Sequence, residues 1–163
     1  MAKPAHRRNT DLLQSSIAAG TVVVASTGTG MFQQVMLDGR HALCADEPVA
    51  AGGNDTGPSP YELLLMALGS CTSMTVHLYA AGKKWPLDQV VVTLSQERAH
   101  ARDCANCEDK SAMIHRIHTK VELIGALDDT QRARLLEIAD MCPVHRTLTS
   151  RIEIESALAP VTE

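Results

Sequence analysis

Ser59-Pro60-Tyr61-Glu62-Leu63-Leu64-Leu65-Met66-Ala67-Leu68-Gly69-Ser70-Cys71-Thr72-Ser73-Met74-Thr75-Val76-His77-Leu78-Tyr79-Ala80-Ala81-Gly82 is the stretch that organises this chain. Ser59 suits the N-cap, Pro60 the first helical position, and Glu62 completes a Ser-x-x-Glu capping box. The apolar run predicts one helix to about Ala81, where Gly82, Lys83 and Lys84 end it. Such a run is long enough to cross a membrane. Glu62, Ser70, Thr72, Ser73, Thr75 and His77 interrupt it, so a buried helix of a soluble protein is expected and no membrane partner. The helix is apolar nearly all round, which calls for a central, fully covered position. One small domain can hardly wrap it, and a second subunit is the expected cover.

Outward from this helix the pattern is mostly β. Thr21 to Ser26, Met31 to Leu37 and His41 to Ala45 read as strands, joined by Thr27-Gly28-Thr29-Gly30 and by Asp38-Gly39. Asp46 to Pro58 is a loop rich in Gly, Pro, Asp and Asn. Leu87 to Ser95 is a strand, and residues 96–112 form a polar loop. A long strand carries Ile114, Ile117, Thr119, Val121 and Leu123. Asp128 or Asp129 caps a second helix, supported by Gln131, whose buried face is Leu135, Leu136, Ile138 and Ala139. Pro143 ends that helix near Cys142. Ile152 and Ile154 alternate with Glu153 and Glu155 in a final strand. The order predicts an α+β fold with largely antiparallel sheets, not a doubly wound one.

The chain has 163 residues, 45% of them hydrophobic and 21% charged, which fits one soluble domain over 1–163, with 1–19 as an N-terminal extension. A net charge of −4 argues against nucleic acid as a partner. Lys3, His6, Arg7 and Arg8 are followed by Asn9, Thr10, Asp11 and Gln14 where a signal peptide needs an apolar run. A cytoplasmic location is expected. The five cysteines then read as catalytic, metal-binding or merely buried.

Cys71 lies in mid-helix. At about 100° per residue, Leu64, Ala67, Leu68, Met74, Thr75 and Leu78 share its side, and Tyr61 borders it. An apolar surface disfavours the thiolate unless a cation is near. Glu62 falls on nearly the opposite face, where its reading is the capping box. Taken alone, Cys71 reads first as a buried, inert thiol, and Cys142 as a structural one. Two such thiols are also the minimum set for reducing a peroxide. One becomes a sulfenic acid and the other condenses with it.

Gly52-Gly53-Asn54-Asp55-Thr56-Gly57-Pro58-Ser59-Pro60-Tyr61-Glu62-Leu63-Leu64, then Ala67-Leu68-Gly69-Ser70-Cys71-Thr72, and later Leu135-Leu136-Glu137-Ile138-Ala139-Asp140-Met141-Cys142-Pro143-Val144-His145 resemble the OsmC/Ohr family, named for osmotically inducible protein C and organic hydroperoxide resistance protein. The resemblance covers most of residues 20 to 158, in a Pro-Tyr-Glu-Leu version that looks like a less characterised branch. It implies an intertwined homodimer with the Cys71 helix at its centre and active sites at the subunit interface. It makes Cys71 the peroxidatic and Cys142 the resolving thiol. Peroxidase members carry a glutamate directly after the proline, paired with an arginine from an early loop. Here Tyr61 holds that position, and Arg40 and Arg146 are the candidate cations.

The activity so implied is reduction of an organic hydroperoxide. The resulting disulfide is reduced by an external dithiol, and no cofactor is required. Leu68, Met74 and Met141 would supply the apolar pocket. The alternative is a non-peroxidase on the same fold: a redox-sensing, small-molecule or metal-binding dimer.

A separate signal is His100-Ala101-Arg102-Asp103-Cys104-Ala105-Asn106-Cys107. Cys-x-x-Cys with a histidine four residues earlier offers ligands to zinc or another soft metal at His100, Cys104 and Cys107. A redox dithiol relay and a plain exposed loop are the competing readings.

Overall fold

The computed structural model describes residues 17–100 and 113–160. The fold is α+β, with antiparallel sheets and one long helix. The chain divides into two compact units, Met1–Leu64 and Leu65–Glu163.

The first unit holds an antiparallel meander, β1 (Val23–Ser26), β2 (Gln34–Leu37) and β3 (Ala42–Ala45), with β2 in the middle. Val24 pairs with Met36 and Val35 with Cys44, so Cys44 is an ordinary strand residue. A 3-10 turn, Val49–Ala51, follows. The loop around it is gathered by the buried Asp46. Its carboxylate accepts from the N–H of Glu47 at 2.9 Å and of Asn54 at 3.1 Å. Thr56 donates both its N–H, at 3.3 Å, and its hydroxyl, at 2.8 Å. Burial opposes the charge most strongly, yet the Thr56 hydroxyl and the three N–H groups together hold the pKa below the usual aspartate value.

Helix α1 (Pro60–Lys83) starts as expected. The Ser59 N–H donates to Glu62 Oε2 at 2.7 Å, and the Glu62 N–H to Ser59 Oγ at 3.4 Å. Among the described residues α1 is the one helix long and apolar enough to cross a membrane by length and composition.

In the second unit α1 leads to a long hairpin, β4 (Leu87–His100) and β5 (Met113–Gly125), paired antiparallel with an irregularity at Leu87/Gln89. Helix α2 (Asp129–Ala139) has the full Asp128/Gln131 capping box, and α3 (Pro143–Leu148) follows. Val76 and Ala80 of α1, Val90 of β4, and Leu135 and Ala139 of α2 form the core. Gly69 sets how closely α1 meets the hairpin, because a Cβ there would lie 2.8 Å from Leu94 Cδ1.

Four expectations need correction. Residues 96–100 belong to β4 rather than to a loop: Glu97 pairs with Arg116 in register, and its carboxylate takes Arg116 and His118 at 3.3 Å each. These charges decorate an exposed ribbon instead of breaking it. Leu136 is exposed, because it points one residue-step, about 100°, away from the buried Leu135. Cys142 is the N-cap of α3 with Pro143 in its first turn, so the proline starts a helix as well as ending one. No strand follows α3 among the described residues. Ile152 and Ile154 are exposed and pair with no strand among the described residues.

Candidate functional site

The covered side of α1 runs through Leu68, Thr72, Val76 and Ala80, a spacing of four residues that keeps one stripe on the core. The opposite side is open and apolar: Met66, Met74 and Leu78 are 57%, 69% and 77% exposed. Among the described residues of the second unit, the helix is therefore covered on one side only. Cys71 lies at the seam between the two surfaces and is partly exposed. Thr75 of the next turn returns its hydroxyl to the Cys71 carbonyl at 2.7 Å, so it serves the backbone and not the thiol.

Cys142 is fully buried and also a free thiol. Its sulfur accepts two hydrogen bonds. The Thr72 hydroxyl donates at 3.4 Å, and the backbone N–H of His145 at 3.3 Å. Thr72 is itself buried, so this is an internal contact between residues seventy apart in sequence. It brings the Cys142 sulfur to the side chain next to Cys71 on α1. The His145 ring faces Asp140, with Nδ1 3.8 Å from Oδ1, and it is the backbone of His145 that reaches the thiol.

Beside this pair a cleft of about 200 Å³ is lined by Leu68, His115, Ile117, Thr119, His145, Leu148 and Thr149. Its lining is mixed: aliphatic residues from α1, β5 and α3, with two histidines and two threonines. Of the side chains expected to form an apolar pocket, Leu68 lines this cleft, whereas Met74 and Met141 are exposed.

The remaining candidates fall on several elements of the two units. Tyr61 is exposed on the first turn of α1. Glu62 is committed to the cap: the Ser59 N–H, then the Ser59 hydroxyl, hold its pKa below the usual glutamate value against a smaller effect of burial. Arg40 is exposed in the β2–β3 turn of the first unit, its N–H donating to Asp38 Oδ1 at 2.8 Å. Arg146 is exposed on α3. Cys104 and Cys107 lie outside the described residues, as does the side chain of His100. Among the described residues no group of three or more His, Cys, Asp or Glu is arranged to hold a metal ion.

Thr72 is the site residue that sequence reasoning missed. Its only signal was a hydroxyl next to a cysteine inside an apolar run, and that could not say which distant group it would meet.

The fold is antiparallel α+β, with one thiol on a long helix and a second held against the neighbouring residue of that helix. The sequence matches the OsmC-like protein family over residues 52–157, and the chain belongs to that family. Its fold is similar to an OsmC like protein from Mycoplasma pneumoniae, at 18% identity and TM-score 0.62, over 78% of this chain and 85% of that one. It is similar to the organic hydroperoxide resistance protein OsmC of Legionella pneumophila, at 18% identity and TM-score 0.57, over 81% and 91%. It is also similar to the organic hydroperoxide resistance protein OhrB of Bacillus subtilis, at 18% identity and TM-score 0.55, over 79% and 90%. At these identities the likeness concerns the fold. No curated protein matches the chain.

Proposed function

We propose that the protein is a cytoplasmic, thiol-dependent reductase of organic hydroperoxides that acts in the oxidative stress response as a homodimer. The observation that carries this reading is the Thr72–Cys142 hydrogen bond, which holds one buried thiol against the residue next to a partly exposed one. The naming of similar folds as organic hydroperoxide resistance proteins supports the substrate class.

The steps follow from the two thiols. The Cys71 thiolate attacks the peroxide O–O bond, and a sulfur–oxygen bond forms. The alkoxide leaves and takes a proton as the alcohol, so Cys71 becomes a sulfenic acid. The Cys142 thiol gives up its proton, its sulfur attacks Cys71 Sγ, and water leaves as the disulfide closes. An external dithiol then returns two electrons. The chemistry needs no metal or cofactor. A second copy covering the open strip of α1 would turn the seam at Cys71 into an apolar pocket that favours an alkyl hydroperoxide over hydrogen peroxide.

The test is to mix reduced protein with cumene hydroperoxide and count free thiols, beside Cys71→Ser and Cys142→Ser. Fast loss of two thiols per chain is expected, abolished in Cys71→Ser, with a sulfenic acid that dimedone traps in Cys142→Ser. A second reading, a redox sensor on the same fold, is favoured by the neutral character of the two donors at Cys142. Slow oxidation that still ends in the Cys71–Cys142 disulfide selects the sensor. Loss that persists in both variants defeats both readings.

A further inference from the structure

The two sulfurs are not equivalent. Cys142 is wholly enclosed and receives two hydrogen bonds, from the Thr72 hydroxyl at 3.4 Å and the His145 N–H at 3.3 Å. Cys71 is partly open at the edge of α1. Thiol–disulfide exchange depends on which sulfur an attacker can reach and on how well the departing sulfur carries negative charge. Both conditions select the same direction here. A thiolate that enters by the route the peroxide takes meets Cys71, whereas Cys142 is enclosed. The sulfur that departs already lies between two donors whose dipoles stabilise the charge building on it.

We propose that an external dithiol opens the Cys71–Cys142 disulfide by attacking Cys71 Sγ, that Cys142 leaves as the thiolate into the Thr72 and His145 hydrogen bonds, and that Thr72 is the positioning residue for this step. The proposal rests on the disulfide of the reaction above. A bond forms between the reductant sulfur and Cys71 Sγ as the Cys71–Cys142 bond breaks, and the electron pair stays on Cys142. The second thiol of the reductant loses its proton and attacks the first. This releases the Cys71 thiolate and leaves the reductant as a disulfide, with two electrons transferred in all. Because the three sulfurs must lie near a line, the attacker meets Cys71 from the side away from Cys142. That side is the seam and not the core.

The experiment separates this step from peroxide chemistry by making the disulfide with diamide on the full-length chain. Non-reducing peptide mapping first establishes the Cys71–Cys142 link. Excess 2-mercaptoethanol is then added, the reaction is quenched in acid at early times, and the adduct is mapped. The expected result is adduct on Cys71 over Cys142 by about 10:1 or more. Thr72→Val should slow reduction about fivefold and erode that ratio, while Thr72→Ser, which keeps the hydroxyl, restores both. A purely structural role for Thr72 would leave the ratio unchanged. Adduct on Cys142, an even division, or no diamide-induced link between these two cysteines overturns the proposal. Failure of cumene hydroperoxide to oxidise the thiols would instead defeat the peroxidase reading, and the adduct map would still decide the direction of reduction.

Discussion

Leu78→Glu tests the claim that the open side of α1 is an interface between two copies. Leu78 is 77% exposed in the single chain and sits on the same strip as Met66 and Met74. Fully burying a leucine side chain contributes about 1.5–3 kcal/mol, so covering the exposed three-quarters of Leu78 contributes about 1–2 kcal/mol per chain. A twofold interface contains the contact twice, which makes it about 2–4 kcal/mol per dimer. Glutamate removes that and adds the cost of desolvating a carboxylate. The dissociation constant should therefore rise by at least about 100-fold. Sedimentation equilibrium across a concentration series measures it directly. The stability of the monomer should hardly change, because Leu78 lies outside the chain's own core of Val76, Ala80, Val90, Leu135 and Ala139. Far-ultraviolet circular dichroism supplies that control. A wild-type chain that stays monomeric at about 100 μM, or a variant whose dissociation constant matches the wild type, refutes the reasoning.

Three further outcomes are expected. Val76→Ala removes two methyl groups from a fully buried position and should cost about 2–3 kcal/mol, read as a lower urea midpoint with the slope unchanged. Gly69→Val drives a branched side chain toward Leu94 Cδ1 and should destabilise by about 1–3 kcal/mol. In Gly69→Ala the same contact is offset by a helix-propensity gain of about 1 kcal/mol, and thermal melts of the two variants should separate accordingly. Asp46 has a folded pKa below its unfolded value, so its contribution is present above about pH 4 and is lost as the pH falls through the lower folded value. Urea midpoints between about pH 6 and pH 3 should fall less steeply in Asp46→Asn than in the wild type.

What the sequence revealed depended on how local the signal was. The start of α1 is written in four adjacent residues, Ser59 to Glu62, and the cap of α2 in another four, Asp128 to Gln131. The meander followed from one β-branched run, Thr21 to Ser26, and from the turn signals Thr27-Gly28-Thr29-Gly30 and Asp38-Gly39. The extension of β4 was hidden, because Glu97 is satisfied by Arg116 and His118 about twenty residues away on the other strand. The final strand failed for a related reason. The alternation of Ile152-Glu153-Ile154-Glu155 shows that one face is apolar but names no edge to pair with, and a strand without a partner does not form. At the site, the pairing of the two cysteines was legible only as an expectation from resemblance. The Thr72–Cys142 contact was not, because helical spacing orders residues within α1 and says nothing about what α3 delivers to it.

The angular argument at the site can be tested by moving the thiol one step around α1. Ser70 lies about 100° from Cys71 on the side away from Thr72, which puts it about 200° from Thr72, with the body of the helix between. Ser70 is exposed, and its hydroxyl returns to the Ala67 carbonyl at 3.1 Å, so a thiol fits there without disturbing the core. In the double substitution Ser70→Cys, Cys71→Ser the chain keeps the same composition and the same Thr72–Cys142 contact. A disulfide needs its two Cβ atoms about 3.5–4.5 Å apart, and position 70 points away from the side of α1 that Cys142 occupies. Cumene hydroperoxide should then oxidise the transposed thiol to a sulfenic acid that accumulates and reacts with dimedone, and no link to Cys142 should form. If instead the transposed variant closes a disulfide with Cys142 as fast as the wild type, the helix is not what selects Cys71. The seam between the covered and open faces would then have no bearing on the chemistry.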